Sequence, residues 1–188
     1  MKEELDKLLC EKYPKIFVNR HESMMQTAMC WGFDCGDGWF NIIDRLCSQI
    51  QWHIDQTAEY NDRCRKEVVL RETCKNGDWQ EFEVTWGLWQ EKDLNYYQRK
   101  RSEMLEPVPK WLEPKPEIPQ VVADQVKEKM GTLRFYYHGG DEFIRGLVAM
   151  AEDMSAVTCE RCGAPGKERG GGWIRTLCDE HADVDSSD

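Results

Sequence analysis

Residues 158–181 read TCERCGAPGKERGGGWIRTLCDEH, and their spacing of cysteine and histidine specifies the structure of the C-terminal quarter of the chain. Two cysteines separated by two residues stand near its start, and a cysteine and a histidine with the same separation stand at its end. A glycine follows the first pair and lets the backbone turn its amides toward the sulfurs. Cys159, Cys162, Cys178 and His181 would complete a tetrahedral coordination shell with no open position, which predicts one structural zinc ion.

Turn-forming glycine and proline residues lie between the two ligand pairs, and residues 173–177 are predicted to form a short strand that delivers Cys178. We therefore expect a zinc-ribbon or treble-clef-like module over residues 156–182, followed by a disordered acidic tail at 183–188. Basic residues beside an aromatic one can bind phosphate and stack a base, but they also occur on the solvated face of small modules. The candidates for such a nucleic-acid contact are Lys167, Arg169, Trp173 and Arg175.

The segment upstream of the module predicts a β-hairpin and a helix over residues 120–155, which complete the core. Its sequence QVVADQVKEKMGTLRFYY predicts two strands about a turn at Met130–Gly131, and apolar and polar residues alternate along the second strand. Leu133 and Phe135 should face the core, while Arg134 and Tyr136 face outward. Asp141 is then placed to cap the helix that follows.

The N-terminal part, residues 1–104, is predicted to be mainly helical. Asp37 is a suitable N-cap for a long amphipathic helix that begins at Trp39 and runs to about Arg65. The pattern favours a strand weakly at residues 81–86 and a helix after Leu88. Five prolines within residues 105–119 predict a stiff connector between two halves, so the fold class is α+β.

Charge and composition limit the classes of function. The chain has 25 basic and 35 acidic residues, a net charge of −10, which disfavours a nucleic-acid footprint over the whole surface. No stretch approaches the roughly 18 apolar residues of a membrane span, and the amphipathic N-terminus does not resemble a signal peptide. These features predict a cytoplasmic protein without membrane contact, in which most of the nine cysteines are reduced, buried thiols.

Two further motifs suggest chemistry that their context does not support. Residues 139–143, GGDEF, spell the signature of diguanylate cyclases, where a strand follows it; here the next residues have helical periodicity. Cys30 and Cys35 could form half of a second metal site, but core thiols or a turn explain them more simply. No P-loop, nucleophile elbow or metalloprotease helix is present, so no motif indicates a catalytic residue. The sequence therefore favours a non-enzymatic function.

Three segments together resemble a family of small proteins common in tailed-phage genomes. They are FDCGDGWFNIIDRLCSQIQ at residues 33–51, QVKEKMGTLRFYYHGGDEFIRGLVAMAEDMS at 125–155, and the metal-ligand stretch. The resemblance covers about residues 30–55 and 118–182 and leaves out residues 75–117 as a variable insertion. It implies a phage protein in a bacterial host cytoplasm, with the same four metal ligands. It also directs attention to a set of candidate site positions: Asp37, Trp39, Lys127, Lys129, Gly131, Arg134 and Tyr136.

Three hypotheses of function follow from these observations. The first is a non-catalytic phage accessory protein for host takeover or anti-defence, which binds a host protein or a small anionic ligand through Asp37, Trp39 and the residues of the hairpin. The second is a nucleic-acid-binding protein that uses the basic face of the zinc module. The third, an enzyme, would need a site assembled from Asp37, Lys127 and Arg134. The sequence does not indicate an oligomeric state.

Overall fold

A computed structural model describes residues 1–170 and 173–185 of the chain. It mixes helices and strands with a small sheet, which confirms the predicted α+β class. The helices are α1 (Glu3–Lys12), α2 (Phe40–Lys75), α3 (Gln80–Trp86), α4 (Trp89–Lys92), α5 (Leu94–Leu105), α6 (Glu142–Ser155) and α7 (Asp179–Asp185). The strands are β1 (Phe33–Asp34), β2 (Val122–Lys129), β3 (Thr132–His138), β4 (Lys167–Arg169) and β5 (Arg175–Leu177).

The chain divides into two compact units, and the division differs from the predicted one. Unit 1 comprises Met1–Asp55 and the described residues of Ile118–Asp188, and unit 2 comprises Gln56–Glu117. The chain therefore passes from unit 1 to unit 2 within α2, which continues ten residues beyond the predicted end at Arg65. Most of the proline-rich segment 105–119 belongs to unit 2 rather than linking two halves.

The core of unit 1 lies beside a three-stranded sheet of order β1-β2-β3. β1 pairs in parallel with β2, and β2 forms the predicted antiparallel hairpin with β3. Phe33, Val126 and Phe135 lie side by side across the three strands, and all three are buried. Phe17 packs against both phenylalanines, with ring centroids 5.0 Å and 6.5 Å away. The predicted inward direction of Leu133 and Phe135 is confirmed.

Helix α6 covers the free edge of β3. The backbone N–H of Leu133 donates to Ser155 Oγ at 2.8 Å, and that of Phe135 donates to Glu152 Oε1 at 3.0 Å. These bonds satisfy edge groups that would otherwise be open to pairing with another strand. Asp141 accepts a bond from the Ile144 N–H at 3.0 Å, which confirms its predicted capping role and explains why a helix, not a strand, follows the GGDEF residues.

Unit 2 has its own small core, which α2, α3 and α5 supply. The prediction of a strand at residues 81–86 is wrong, because this segment lies in helix α3. The helix forms because it places Phe82 in full burial between Trp79 and Tyr97, with ring centroids 5.4 Å and 5.8 Å away. The helix predicted after Leu88 is confirmed by α4 and α5, and the buried members of this core are Leu70, Cys74, Phe82, Tyr97 and Met104.

Side chains of α2 hold the proline-rich segment in place. Asn61 is buried; its side-chain nitrogen donates to the Lys115 carbonyl at 2.9 Å, and its oxygen accepts from the Lys115 N–H at 2.8 Å. Tyr60 donates to the Trp111 carbonyl, and Arg65 pairs with Glu117. The segment lacks helix and strand hydrogen bonds because of its prolines, so these side-chain bonds fix it instead.

The C-terminal module contains the predicted cysteine turn and a hairpin of β4 and β5, and a helix, α7, follows them. Helix α7 ends at Asp185 and so includes the first three residues, 183–185, of the predicted tail. Residues 186–188 of that predicted tail lie outside the described residues. Within the described part of the chain, no helix combines the length and apolarity that crossing a membrane requires.

Candidate metal centre

The structure brings the four predicted ligands together. One ligand atom from each of Cys159, Cys162, Cys178 and His181 lies within 4.8 Å of the other three. His181 Nδ1 is 3.6 Å from Cys159 Sγ and 3.1 Å from Cys178 Sγ, and the Cys162 and Cys178 sulfurs are 3.8 Å apart. Three sulfurs and one imidazole nitrogen at such separations can hold one metal ion.

Local backbone structure delivers each ligand pair. Gly163 has a φ of +78° and donates its N–H to the Cys159 carbonyl at 2.8 Å, which closes the turn between the first two cysteines. Strand β5 ends immediately before Cys178, and His181 lies in the first turn of α7. The Glu160 N–H donates to the Thr176 carbonyl at 2.9 Å and so joins the first turn to β5.

The electrostatics of the cluster favour a thiolate. Burial of the Cys159 sulfur raises its pKa. Hydrogen bonds from the backbone N–H groups of Cys178, Cys162 and Arg161 together lower the pKa by more than burial raises it, and the resulting pKa is about 6. Cys35 has the opposite environment, since burial raises the pKa of its thiol to about 12. The Cys30 thiol donates to the Thr27 carbonyl at 3.1 Å. Among the described residues only the C-terminal cluster gathers three or more potential ligands, so Cys30 and Cys35 do not start a second site.

A short segment of unit 1, Gly36–Trp39, packs directly against the first cysteine turn, and we call it the GDGW clamp. Gly36 and Gly38 donate their N–H groups to Glu160, at 2.9 Å to Oε1 and 2.8 Å to the carbonyl. Trp39 is fully buried and donates its Nε1–H to the Thr158 carbonyl at 2.8 Å. The clamp therefore fastens the metal module to the start of α2.

The close approach of the clamp to the cysteine turn explains why two of its four residues are glycine. A Cβ on Gly38 would lie 2.2 Å from the Cys159 carbonyl oxygen and 2.5 Å from the Gly163 nitrogen. A Cβ on Gly36 would lie 2.2 Å from the Glu160 carbonyl oxygen. Only glycine permits this approach of one backbone to another. The Gly-Asp-Gly-Trp motif stands out in the sequence, but nothing in it identifies the cysteine turn as its partner.

Two of the candidate ligand-binding residues belong to the clamp instead. Trp39 is in the core, so its ring is not accessible to a ligand. Asp37 does not cap α2 as predicted, because its carboxylate accepts the Lys2 backbone N–H at 2.7 Å and lies 3.3 Å from Lys2 Nζ. These contacts lower the pKa of Asp37, the backbone bond from Lys2 most strongly. The N-cap of the preceding 3₁₀ turn is Gly36.

The other candidate residues lie on the hairpin, and two of them border a cleft. Lys127 and Lys129 of β2 line an opening of about 370 Å³ together with Trp173 and Ile174, which precede β5. The Lys127 ammonium is 5.8 Å from the centre of the Tyr136 ring. Arg134 lies opposite Lys127 in the hairpin but bonds to Thr132 Oγ1 and the Leu133 carbonyl, at 2.6 Å and 2.7 Å.

The basic face predicted on the metal module is partly neutralised. Lys167 and Arg169 both pair with Asp179, the lysine at 3.3 Å. Arg175 lies opposite Arg169 in the β4–β5 hairpin. Trp173 is 72% exposed and borders the hairpin cleft. The structure thus groups Trp173 with Lys127 and Lys129, an association between residues far apart in the sequence.

The chain matches no protein-family model, no curated protein and no solved structure. The predicted kinship with tailed-phage proteins, and the host partner that it implies, therefore stay predictions. What the described residues support is a metal-binding cluster clamped to an α+β core, with a cleft beside it.

Proposed function

We propose that the metal is zinc and that its role is structural. The support is the match between the ligand separations and tetrahedral zinc. Zn–S bonds of about 2.3 Å place two sulfurs about 3.8 Å apart, and a Zn–N bond of about 2.0–2.1 Å places nitrogen and sulfur about 3.5 Å apart. The Cys162–Cys178 separation is 3.8 Å and the Cys159–His181 separation is 3.6 Å, whereas the Cys178–His181 separation of 3.1 Å is shorter than this geometry gives. Four protein ligands leave no position for a substrate.

The zinc proposal is tested by metal analysis of the purified protein, with about one zinc per chain expected. Cys162→Ser should lose the metal and expose the C-terminal module to proteolysis, because metal binding supplies much of the folding free energy of such modules. Cys30→Ser is the matched control, since Cys30 lies outside the cluster, and it should keep both metal and protection. A metal-free protein with a protected C-terminal module would contradict the proposal.

We propose further that the protein binds a small anionic ligand with a flat ring, such as a nucleotide, in the cleft between the hairpin and the metal module. One observation carries this proposal: the exposed indole of Trp173 borders the same cleft as the ammonium groups of Lys127 and Lys129. An exposed indole offers a stacking surface, and two ammonium groups attract a phosphate.

The neighbouring charges leave the cleft cationic. Glu128 also lines the cleft, but its carboxylate accepts the Gly131 N–H at 2.6 Å and so helps to shape the hairpin turn. Among the residues that the structure describes, Lys129 has no hydrogen bond or ion pair through its ammonium group. The Lys127 ammonium lies 5.8 Å from the centre of the Tyr136 ring, so Lys129 is the freer donor for an anion.

The metal module holds the indole side of the cleft in place. Thr176 in β5 is buried and donates its hydroxyl to the Gly131 carbonyl at 2.7 Å. Ile174 would lie 3.0 Å from a Cβ on Gly131, so the two walls are in close contact at their base. The cleft is therefore largely formed before a ligand arrives, which reduces the entropic cost of binding.

Isothermal titration calorimetry with adenosine monophosphate, adenosine and inorganic phosphate tests the binding proposal. The nucleotide should bind more tightly than either of its parts, because only it uses both stacking and charge. Trp173→Ala and Lys129→Gln should each weaken nucleotide binding about tenfold, since one stacked base is worth about 1–3 kcal/mol. Trp31→Ala is the matched control, as Trp31 is 70% exposed elsewhere in unit 1. No binding of the nucleotide by the wild type would contradict the proposal.

Single-stranded nucleic acid carries the same bases and phosphates, and it is the second candidate ligand. A fluorescently labelled oligonucleotide measured at several salt concentrations distinguishes the two. Contacts to several phosphates would make the affinity fall steeply with salt, whereas one nucleotide in the cleft would give a shallow dependence. Because Asp179 already pairs with Lys167 and Arg169, we expect the shallow dependence.

A further inference from the structure

Helices α2 and α6 border an apolar groove on the surface of unit 1. The groove has a volume of about 250 Å³, and its apolar walls include Leu46 of α2 with Leu147, Met150 and Met154 of α6. Among the described residues that line it, Arg45 alone is charged. Such a combination is typical of surfaces that receive an amphipathic helix.

The exposed face of α6 has the periodicity of a helix–helix contact. Its apolar residues are separated alternately by four and three positions, which is the spacing of a heptad seam. Most of these side chains are exposed although they are large and apolar; Met150, at the centre, is 62% exposed. Methionine side chains adapt readily to an opposing surface. The members of this stripe are Phe143, Leu147, Met150, Met154 and Val157, the last lying just beyond the helix end.

The helix that fits this groove has the properties of α6 itself. The groove requires an apolar stripe with heptad spacing and an acidic residue that can reach Arg45. Asp153 stands next to the stripe on α6 and is exposed. Within the described part of the chain, neither Arg45 nor Asp153 has a side-chain hydrogen bond or an ion pair, and the adjacent Asp44 exerts only a longer-range attraction on Arg45.

We propose that two copies of this chain form a symmetric dimer in which α6 of each copy lies in the α2–α6 groove of the other. A two-fold axis makes the contact self-complementary, so that Arg45 of each copy faces Asp153 of the other copy. Four helices then meet at the interface, in the manner of a helix bundle. The pairing removes the four exposed members of the stripe, Phe143, Met150, Met154 and Val157, from water in each copy. It also provides Arg45 and Asp153 with partners.

Sedimentation-velocity measurements over a range of protein concentrations test this proposal. The wild type should be dimeric at micromolar concentration, and Met150→Glu should make it monomeric because two charges would enter the apolar seam. Met25→Glu is the matched control, since Met25 is 88% exposed outside the groove, and it should leave the dimer unchanged. Thermal melts of each variant establish that loss of the dimer is not loss of the fold.

Exchanging the charges of Arg45 and Asp153 tests whether the α2–α6 groove forms the dimer contact. Arg45→Asp and Asp153→Arg should each raise the dimer dissociation constant at least about tenfold, because each places like charges together. The double variant should recover most of the wild-type affinity. A monomeric wild type would overturn the proposal, and so would a dimer that Met150→Glu or the single charge variants leave unchanged.

Discussion

Replacing Gly38 with alanine is the most direct test of the GDGW clamp. The new Cβ would lie 2.2 Å from the Cys159 carbonyl oxygen, whereas carbon and oxygen atoms in contact are about 3.3 Å apart. The cysteine turn and the start of α2 must then separate by about 1 Å. The two atoms nearest to the added Cβ, the Cys159 carbonyl oxygen and the Gly163 nitrogen, belong to the backbone, so a side-chain rotation cannot relieve the overlap.

The size of the effect follows from the bonds that this separation breaks. The Gly38 N–H to Glu160 carbonyl bond and the Trp39 indole to Thr158 carbonyl bond are both 2.8 Å long. Losing two largely buried bonds costs about 1–3 kcal/mol each, and overpacking costs about 1–3 kcal/mol more. Partial relaxation of the cysteine turn places the effect at the lower end of the combined range. We therefore expect Gly38→Ala to lower the free energy of unfolding by about 3–5 kcal/mol, which for a chain of this size lowers the melting temperature by about 10 °C.

Denaturant unfolding and metal analysis of Gly38→Ala check this estimate. Gly146→Ala is the control, because Gly146 lies in the exposed face of α6 with no atom within 4 Å of an added Cβ. That substitution should stabilise the protein by up to about 1 kcal/mol, since alanine is the better helix former. If Gly38→Ala left both stability and metal content unchanged, the clamp would not hold the metal module.

Three further predictions concern the core, unit 2 and pH. Phe135→Ala should cost about 3–5 kcal/mol of unfolding free energy and Tyr136→Ala much less, because Phe135 is buried and Tyr136 is 41% exposed; equal costs in denaturant unfolding would contradict the hairpin register. Asn61→Ala should cost about 2–4 kcal/mol by removing a buried side chain and both of its hydrogen bonds to the Lys115 backbone. Asp62→Ala, which breaks only an exposed pair with Lys66, should cost less than about 0.5 kcal/mol in the same assay. Asp141→Asn should remove a pH-dependent contribution to stability: burial raises the pKa of Asp141, but bonds from His53 and the Ile144 N–H lower it further, to below its usual value. A lowered pKa stabilises the fold above about pH 4 and loses that effect as pH falls, so unfolding curves of variant and wild type should differ at neutral pH and converge in acid; a constant difference would contradict this account.

The sequence determined those features that depend on neighbouring residues. Two ligand pairs with fixed spacing predicted the metal cluster, because the residues of each pair are held together by one turn or one helical step. Alternation along residues 132–137 predicted the hairpin and its buried face, since the strand period is two. Asp141 was identified as a cap because capping acts over three residues. These predictions succeeded because their physical causes are local.

The other features depend on contacts between segments that are distant in the sequence. The strand pattern at residues 81–86 was overridden by the burial of Phe82 against Tyr97, a partner fifteen residues away. Gly38 faces a backbone more than 120 positions later, so no local pattern reveals that its missing side chain permits the contact with the metal module. Trp173 joins Lys127 and Lys129 at one cleft only because Thr176 bonds to Gly131 and brings β5 to the hairpin turn. Packing between distant segments fixes such contacts, and their energies depend on shapes that are formed only when the whole core is assembled.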